Sequence, residues 1–155
     1  MVLGASVVLM GPNGERTLPL NEFYELDGMK KNVMQEGEFL LKVVLGAEAG
    51  KRAGSYQKLR VRDSWDFPEA GIAASWIPGQ PESLKIASTA LESIPRLHEE
   101  EVKAHSGAEL DLLALATAVQ KSVKPVNNTA LPPRYRRSMV KTLTKRALQA
   151  LMQGD

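Results

Sequence analysis

Cysteine is absent from the chain. The sequence therefore supplies no disulfide, no thiolate nucleophile and no iron–sulfur ligand, which agrees with a reducing cytoplasm. Histidine is nearly absent as well: His98 and His105 are the only two. Without cysteine partners or a convincing third donor they make no metal site, and both are read as solvent-exposed. Charge of one sign is lacking, since the formal net charge is +2, too small by itself to argue for nucleic acid. No apolar run approaches the roughly twenty residues of a membrane helix. The opening MVLGASVVLMG has no basic n-region and reads as a strand rather than a signal peptide. Catalytic signatures are missing too. There is no G-x-S-x-G elbow, so Ser75 in AASW is a strand residue, and GPNGER lacks the Gly-Lys-Ser/Thr ending of a phosphate loop. No catalytic residue and no metal ligand is assigned.

What remains is an ordinary globular composition, 43% apolar and 25% charged over 155 residues, enough for one domain with a real core. The first half is strand-rich. Ala5 to Met10 and Glu15 to Leu20 flank Gly11-Pro12-Asn13-Gly14, a hairpin signal. Asn21 is placed to cap a single turn through Phe23 and Tyr24, which Asp27-Gly28 ends. Glu38 to Leu45 (EFLLKVVL) is a nearly continuous apolar run, the pattern of a strand covered on both faces. Ala49 to Gly54 reads as a loop. Tyr56 to Arg62, Gly71 to Ile77 and Leu84 to Ala90, the last two joined by Pro78-Gly79-Gln80-Pro81, form an antiparallel sheet.

Helices take over in the second half. Pro95 suits a first helical position before a short acidic helix, Leu97 to Ala104, whose Glu99-Glu100-Glu101 suits a helix N-terminus. Ser106-Gly107-Ala108-Glu109 has the form of a capping box. It opens a helix with Leu112, Leu113, Ala116, Val119 and Val123 on one stripe, ending near Pro125. After Pro132-Pro133 comes a last helix with Tyr135, Met139, Leu143, Ala147 and Leu151 on its buried side. Arg136, Arg137, Lys141 and Lys145 line the other side. That basic face is read as solvated or subunit-contacting in preference to RNA-binding, because the rest of the chain is partly acidic with little aromatic interleaving. The expected fold is α+β: a small antiparallel sheet with about three helices packed on one face.

The densest chemistry lies in GSYQKLRVRDSWDFP, Gly54 to Pro68. With period two, Tyr56, Lys58, Arg60 and Arg62 share one face while Leu59 and Val61 share the other. The bland interpretation is a cationic side facing water. The functional one is a strand presented to an anionic or electron-rich ligand: a lysine stabilises negative charge on a reduced ring, and an aromatic covers its face. Trp65 and Asp66 stand at the strand end, where loops line binding sites.

The order GPNGERTLPLNEFY, GEFLLKVVL, GSYQKLRVRDSWDFPEAGIAAS and YRRSMVKTLTKRAL resembles one family from about Ser6 to Leu151. It is similar to the C-terminal domain of the FAD-binding (medium) subunit of molybdenum hydroxylases, the group of xanthine dehydrogenase, carbon monoxide dehydrogenase and 4-hydroxybenzoyl-CoA reductase. The resemblance implies that residues 1–20 are a hairpin left from the preceding FAD-binding domain and that residues 21–155 are the C-terminal domain. It implies FAD contact by Lys58 first, then by Arg62, Trp65 and Asp66. It also implies a molybdenum-binding large subunit and an iron–sulfur small subunit as partners, with no nucleic acid and no membrane, in the cytoplasm. The glycine-rich segment with which the family cradles FAD pyrophosphate does not occur in this sequence. The expectation is therefore a split or shortened flavin subunit that binds FAD weakly or not at all alone, with the FAD-binding half supplied separately. The alternative is an assembly module of the same fold that no longer binds flavin.

Overall fold

The computed structural model describes residues 1–27, 29–63, 65–105 and 110–153. They form two antiparallel sheets and four helices. β1 (Ser6–Gly11) and β2 (Gly14–Pro19) make the hairpin expected from Gly11-Pro12-Asn13-Gly14, with Pro12 and Asn13 as its two loop residues. A single helical turn, α1 (Leu20–Phe23), follows. β3 (Phe39–Val44) then pairs with β1 to give a three-stranded sheet of order β2-β1-β3. Val7, Leu9 and Phe23 form the small core of this unit. Arg16 reaches from β2 to bind Glu38 through Nε and Nη2, at 2.7 and 2.8 Å, and donates to the Val33 carbonyl at 2.9 Å.

The second sheet has order β4-β5-β6-β7: β4 (Ala53–Leu59), β5 (Ala70–Ile77), β6 (Gln80–Thr89) and β7 (Arg96–Leu97). The β5–β6 turn is tighter than the sequence suggested. Ile77 pairs directly with Gln80, and Gly79 takes a φ of 77° that few side chains tolerate. Three helices follow: α2 (Glu99–His105), α3 (Leu112–Ser122) and α4 (Pro133–Gln153). Ala70, Ile72 and Ala74 of β5 and Leu84 and Ile86 of β6 pack with residues of α3 and α4 into the main core. The α+β class and the helices on one face of the second sheet are as expected.

Several local expectations are corrected. Asn21 does not cap α1; Pro19 occupies the N-cap position without a side-chain bond. Asp27 instead folds the following turn, its Oδ1 accepting from Met29 N at 2.8 Å. The Ala49 to Gly54 loop is a 3₁₀ turn (Ala47–Lys51) leading straight into β4, anchored where Arg52 Nη1 donates to the Ser83 carbonyl at 2.9 Å. Arg96–Leu97 joins the sheet, so α2 begins at Glu99 rather than beside Pro95. The proposed Ser106–Glu109 box lies outside the described residues. Asp111 is the N-cap of α3, accepting from Leu113 N and Ala114 N at 2.9 Å each.

Two further corrections concern the faces of β3 and α4. β3 was expected to be covered on both faces, yet every residue of it is exposed. On α4 Leu143, Ala147 and Leu151 are buried as expected, but they share the stripe with Arg136, Val140, Thr144 and Leu148 rather than with Tyr135 and Met139. Tyr135 is 46% exposed. Spacing by fours alone drifts off a helix of 3.6 residues per turn, and burial of Arg136 cannot be seen from a row of cations. Arg136 is fully buried because backbone acceptors surround its guanidinium. Nε donates to Glu69 O at 2.7 Å, Nη1 to Val126 O at 2.7 Å and Asn128 Oδ1 at 3.2 Å, and Nη2 to Ala90 O.

Candidate cofactor-contact site

β4 is an edge strand whose burial alternates along its length. Ala53, Ser55, Gln57 and Leu59 turn inward, and Gly54, Tyr56 and Lys58 are exposed. Strand pairing sets Lys58 opposite Gly71 and Tyr56 opposite Ala73, so these four share the face away from α3 and α4. The face is kept shallow by small residues. Tyr56 leans diagonally over Gly71: a Cβ on that glycine would lie 2.7 Å from the tyrosine oxygen and 2.7 Å from Thr89 Cγ2. Burial against this surface raises the Tyr56 phenol above its ordinary pKa. At one end of the face Ser75 Oγ donates to the Val2 carbonyl at 2.7 Å. At the other begins the loop of residues 60–68.

That loop is a closed structure. Its base is shut where Glu69 N donates to Leu59 O at 2.8 Å. Asp66 holds its interior, accepting from Arg62 N at 3.0 Å, from Arg62 Nη2 at 2.9 Å and from Phe67 N at 3.0 Å. These bonds, with the Arg62 guanidinium foremost, hold the Asp66 carboxyl well below the usual carboxylate range. Trp65 and Phe67 flank Asp66 and project outward, 93% and 82% exposed. The structure thus places Lys58 on the open face, joins Arg62 to Asp66, and points Trp65 at solvent. Arg60, Val61 and Arg62 lie beyond the end of β4: the two cations do not continue its row, and Val61, expected in the core with Leu59, is 57% exposed. Among the described residues Lys58 and Arg60 have no ion-pair partner, whereas Arg62 is neutralised.

Sequence reasoning missed the support beneath this loop. Glu69 is 7% exposed; its Oε2 accepts from Thr129 Oγ1 at 2.5 Å and from Leu131 N at 3.3 Å, and its carbonyl accepts from Arg136. The α3–α4 connector and the first turn of α4 therefore fix the point where the loop enters β5. His98 was also misjudged: it is fully buried, not solvent-exposed. Its Nε2 lies 2.9 Å from Ser88 Oγ and its Nδ1 3.2 Å from Ser122 Oγ. Ser122 sends its own proton to Val119 O, so Nδ1 donates and Nε2 accepts. Burial lowers the imidazole pKa, opposed by Glu101, and so favours the neutral ring. No cluster of three or more metal-ligating side chains occurs among the described residues. Nor is any described helix long and apolar enough to cross a membrane.

A cation beside a shallow face, with a tyrosine ring at hand, suits the edge of a planar ring that gains negative charge on reduction. The starts of α3 and α4 do not accommodate a pyrophosphate. The amides at the start of α3 are already bonded to the Asp111 carboxylate, and α4 opens on Pro133, which has no N–H.

No protein-family model matches the chain. Over 152 residues it is 27% identical to the carbon monoxide dehydrogenase medium chain of Afipia carboxidovorans, a match covering 95% of this chain and 52% of that one. The chain thus spans about half the length of the curated relative it matches. Among solved structures, its fold is similar to a chain of carbon monoxide dehydrogenase from Hydrogenophaga pseudoflava, with a TM-score of 0.81 at 24% identity, covering 98% of this chain and 54% of that one. A chain of quinoline 2-oxidoreductase from Pseudomonas putida 86 has a TM-score of 0.77 at 21% identity, covering 99% and 54%. These structures share the fold, and the sequence match gives homology to the carbon monoxide dehydrogenase medium chain.

Proposed function

We propose that this chain is the C-terminal part of the FAD-binding subunit of a molybdenum-hydroxylase-type oxidoreductase, the group that includes xanthine dehydrogenase and 4-hydroxybenzoyl-CoA reductase. Its place is the cytoplasm, in an assembly with a molybdenum-binding large subunit and an iron–sulfur small subunit. In this reading residues 1–20 belong with the neighbouring FAD-binding domain, and the open face of β4 and β5 helps enclose the isoalloxazine ring. FAD, when bound, supplies the hydride and electron chemistry. Lys58 favours negative charge at the ring edge by its ammonium group, and Tyr56 offers an aromatic surface beside it. The Arg62–Asp66 pair acts at one remove, holding the loop that presents Trp65.

The observation that carries this reading is the exposure of Lys58 on a face that the chain's own helices leave uncovered. Similarity to the medium chain over nearly the whole sequence supports the same placement. In this reading another polypeptide segment holds the pyrophosphate, since the starts of α3 and α4 offer it no free amides.

Mixing the purified chain with FAD, alone and together with a polypeptide carrying the flavin-binding half, tests the proposal. Quenched flavin fluorescence that this chain strengthens only in the mixture is expected. Uptake that is the same with and without this chain overturns it. The assembly-module alternative has one observation in its favour, the mutual saturation of Arg62 and Asp66. That reading predicts a stable complex with no flavin in any mixture.

A further inference from the structure

β3 is the least satisfied element of the fold. Phe39, Leu40, Leu41, Val43 and Val44 are 55, 41, 41, 55 and 42% exposed, and Leu45 beyond the strand is 53% exposed. The strand pairs with β1 on one side only, at the edge of its sheet, so its outer row of N–H and C=O groups has no strand partner among the described residues. The register sets Leu40 and Val43 opposite Leu9 and Val7, on one face. Phe39 and Val44 lie opposite Met10 and Ser6, on the other, with Leu41 at the bulge between. Apolar side chains therefore emerge on both faces. Self-sufficient domains blunt an edge strand with charge, proline or brevity, whereas a strand apolar on both faces belongs inside a larger covered sheet. A contiguous exposed apolar surface of this kind marks an interface.

We propose that β3 is the seam where this chain joins the half of a medium-chain-like subunit that it does not span. A strand of that half extends the sheet along the outer edge of β3, and apolar side chains of that half cover its two faces. The inference rests on the flavin-subunit reading. Two observations select this occupant over a second copy of the chain. Two β3 strands paired edge to edge satisfy the free edge but leave both apolar faces in water. The medium chain of Afipia carboxidovorans also contains nearly as much polypeptide again outside the matched region, since the match covers 52% of it. Lys42 is the one charged residue in the strand, so the seam is held by backbone bonds and apolar burial rather than ion pairs.

The test mixes the chain with the source organism's polypeptide corresponding to the uncovered half of the medium chain. Mass is read by light scattering and amide exchange is followed across residues 39–45. A one-to-one complex is expected, with β3 amides slowed at least roughly tenfold and binding little changed by added salt. Val43→Lys alters an exposed residue, so its melting temperature should match the parent while affinity falls by roughly thirtyfold, a hot-spot loss. A dimer of this chain that itself protects β3 overturns the proposal. So does the absence of a complex, or a complex in which residues 39–45 exchange as before. Flavin absorbance is read separately: a protected β3 without flavin keeps the seam and discards the flavin reading.

Discussion

Replacing Arg136 by methionine probes the part of the fold that holds the candidate loop in place. The side chain is fully buried, and its guanidinium donates to the carbonyls of Glu69, Val126 and Ala90 and to Asn128 Oδ1. Ala90 carries a positive φ of 63°, unusual for a residue with a Cβ, and its carbonyl is one of those acceptors. Methionine keeps much of the volume, so the cost comes from the orphaned acceptors and from Glu69, whose Oε2 lies 3.9 Å from Arg136 Nε. Removing one partner from a buried charged network costs about 3–5 kcal/mol. Domains of this kind hold only about 5–15 kcal/mol in total. At about 2–4 °C per kcal/mol, Tm should fall by roughly 10 °C. Lysine in its place keeps the charge but loses the fork geometry, and should recover part of the loss. Urea unfolding followed by far-ultraviolet ellipticity measures all three proteins. Arg137 is the internal comparison: it is exposed, bonds the last carbonyls of α3 at Gln120 and Lys121, and its methionine variant should lose about 1 kcal/mol. Because Glu69 closes the base of the 60–68 loop, amide exchange there should quicken in Arg136→Met. A variant within about 1 kcal/mol of the parent, with unchanged exchange in the loop, refutes the clamp.

Three further outcomes follow from individual contacts. Asp111→Ala removes the double cap of α3 and should cost about 1 kcal/mol in urea unfolding, with asparagine restoring most of it. Glu38, held down to about 2 first by its bonds to Arg16, lends stability that is complete above its ordinary value of 4.5 and is lost as pH falls through about 2. Glu38→Gln should therefore flatten the urea midpoint across that acid window. His98 has its pKa lowered by burial, so its folded state binds the proton less readily than the unfolded chain. Its contribution is intact above the ordinary histidine value of 6.5 and declines below it; His98→Gln should remove that decline below pH 6.5, read by the same midpoint.

The elements most legible in the sequence were those with strong local codes. Asn13-Gly14 announced the β1–β2 hairpin, although the two loop residues are Pro12 and Asn13, and the period-two pattern named the shared outward face of Tyr56 and Lys58 but not the end of the strand before Arg60. Less legible were residues whose environment is assembled from distant segments. Arg136 sits among five cations that it resembles in every local respect; only carbonyls from the residue after β6, the residue before β5 and the α3–α4 connector make it a core residue. His98 was misplaced for the same reason, since Ser88 and Ser122 reach it from other elements. β3 gave the opposite lesson. Its apolar run was recognised as a strand to be covered on both faces, but the cover is not supplied by the described residues. Arg62 and Asp66 were chosen as two separate cofactor contacts, while their spacing of four residues in a tight loop makes them partners of each other.

The central claim is that the face beside Lys58 lies against the flavin ring. The most direct measurement is the two-electron midpoint potential of FAD in the assembled subunit, with Lys58 and with Lys58→Met. Removing an ammonium that favours the reduced, negatively charged ring should lower the potential by roughly 30 mV or more, on the scale where 30 mV is about 1.4 kcal/mol. The melting temperature should stay put, because Lys58 is exposed and unpaired among the described residues. An unchanged potential with an unchanged flavin spectrum contradicts the account.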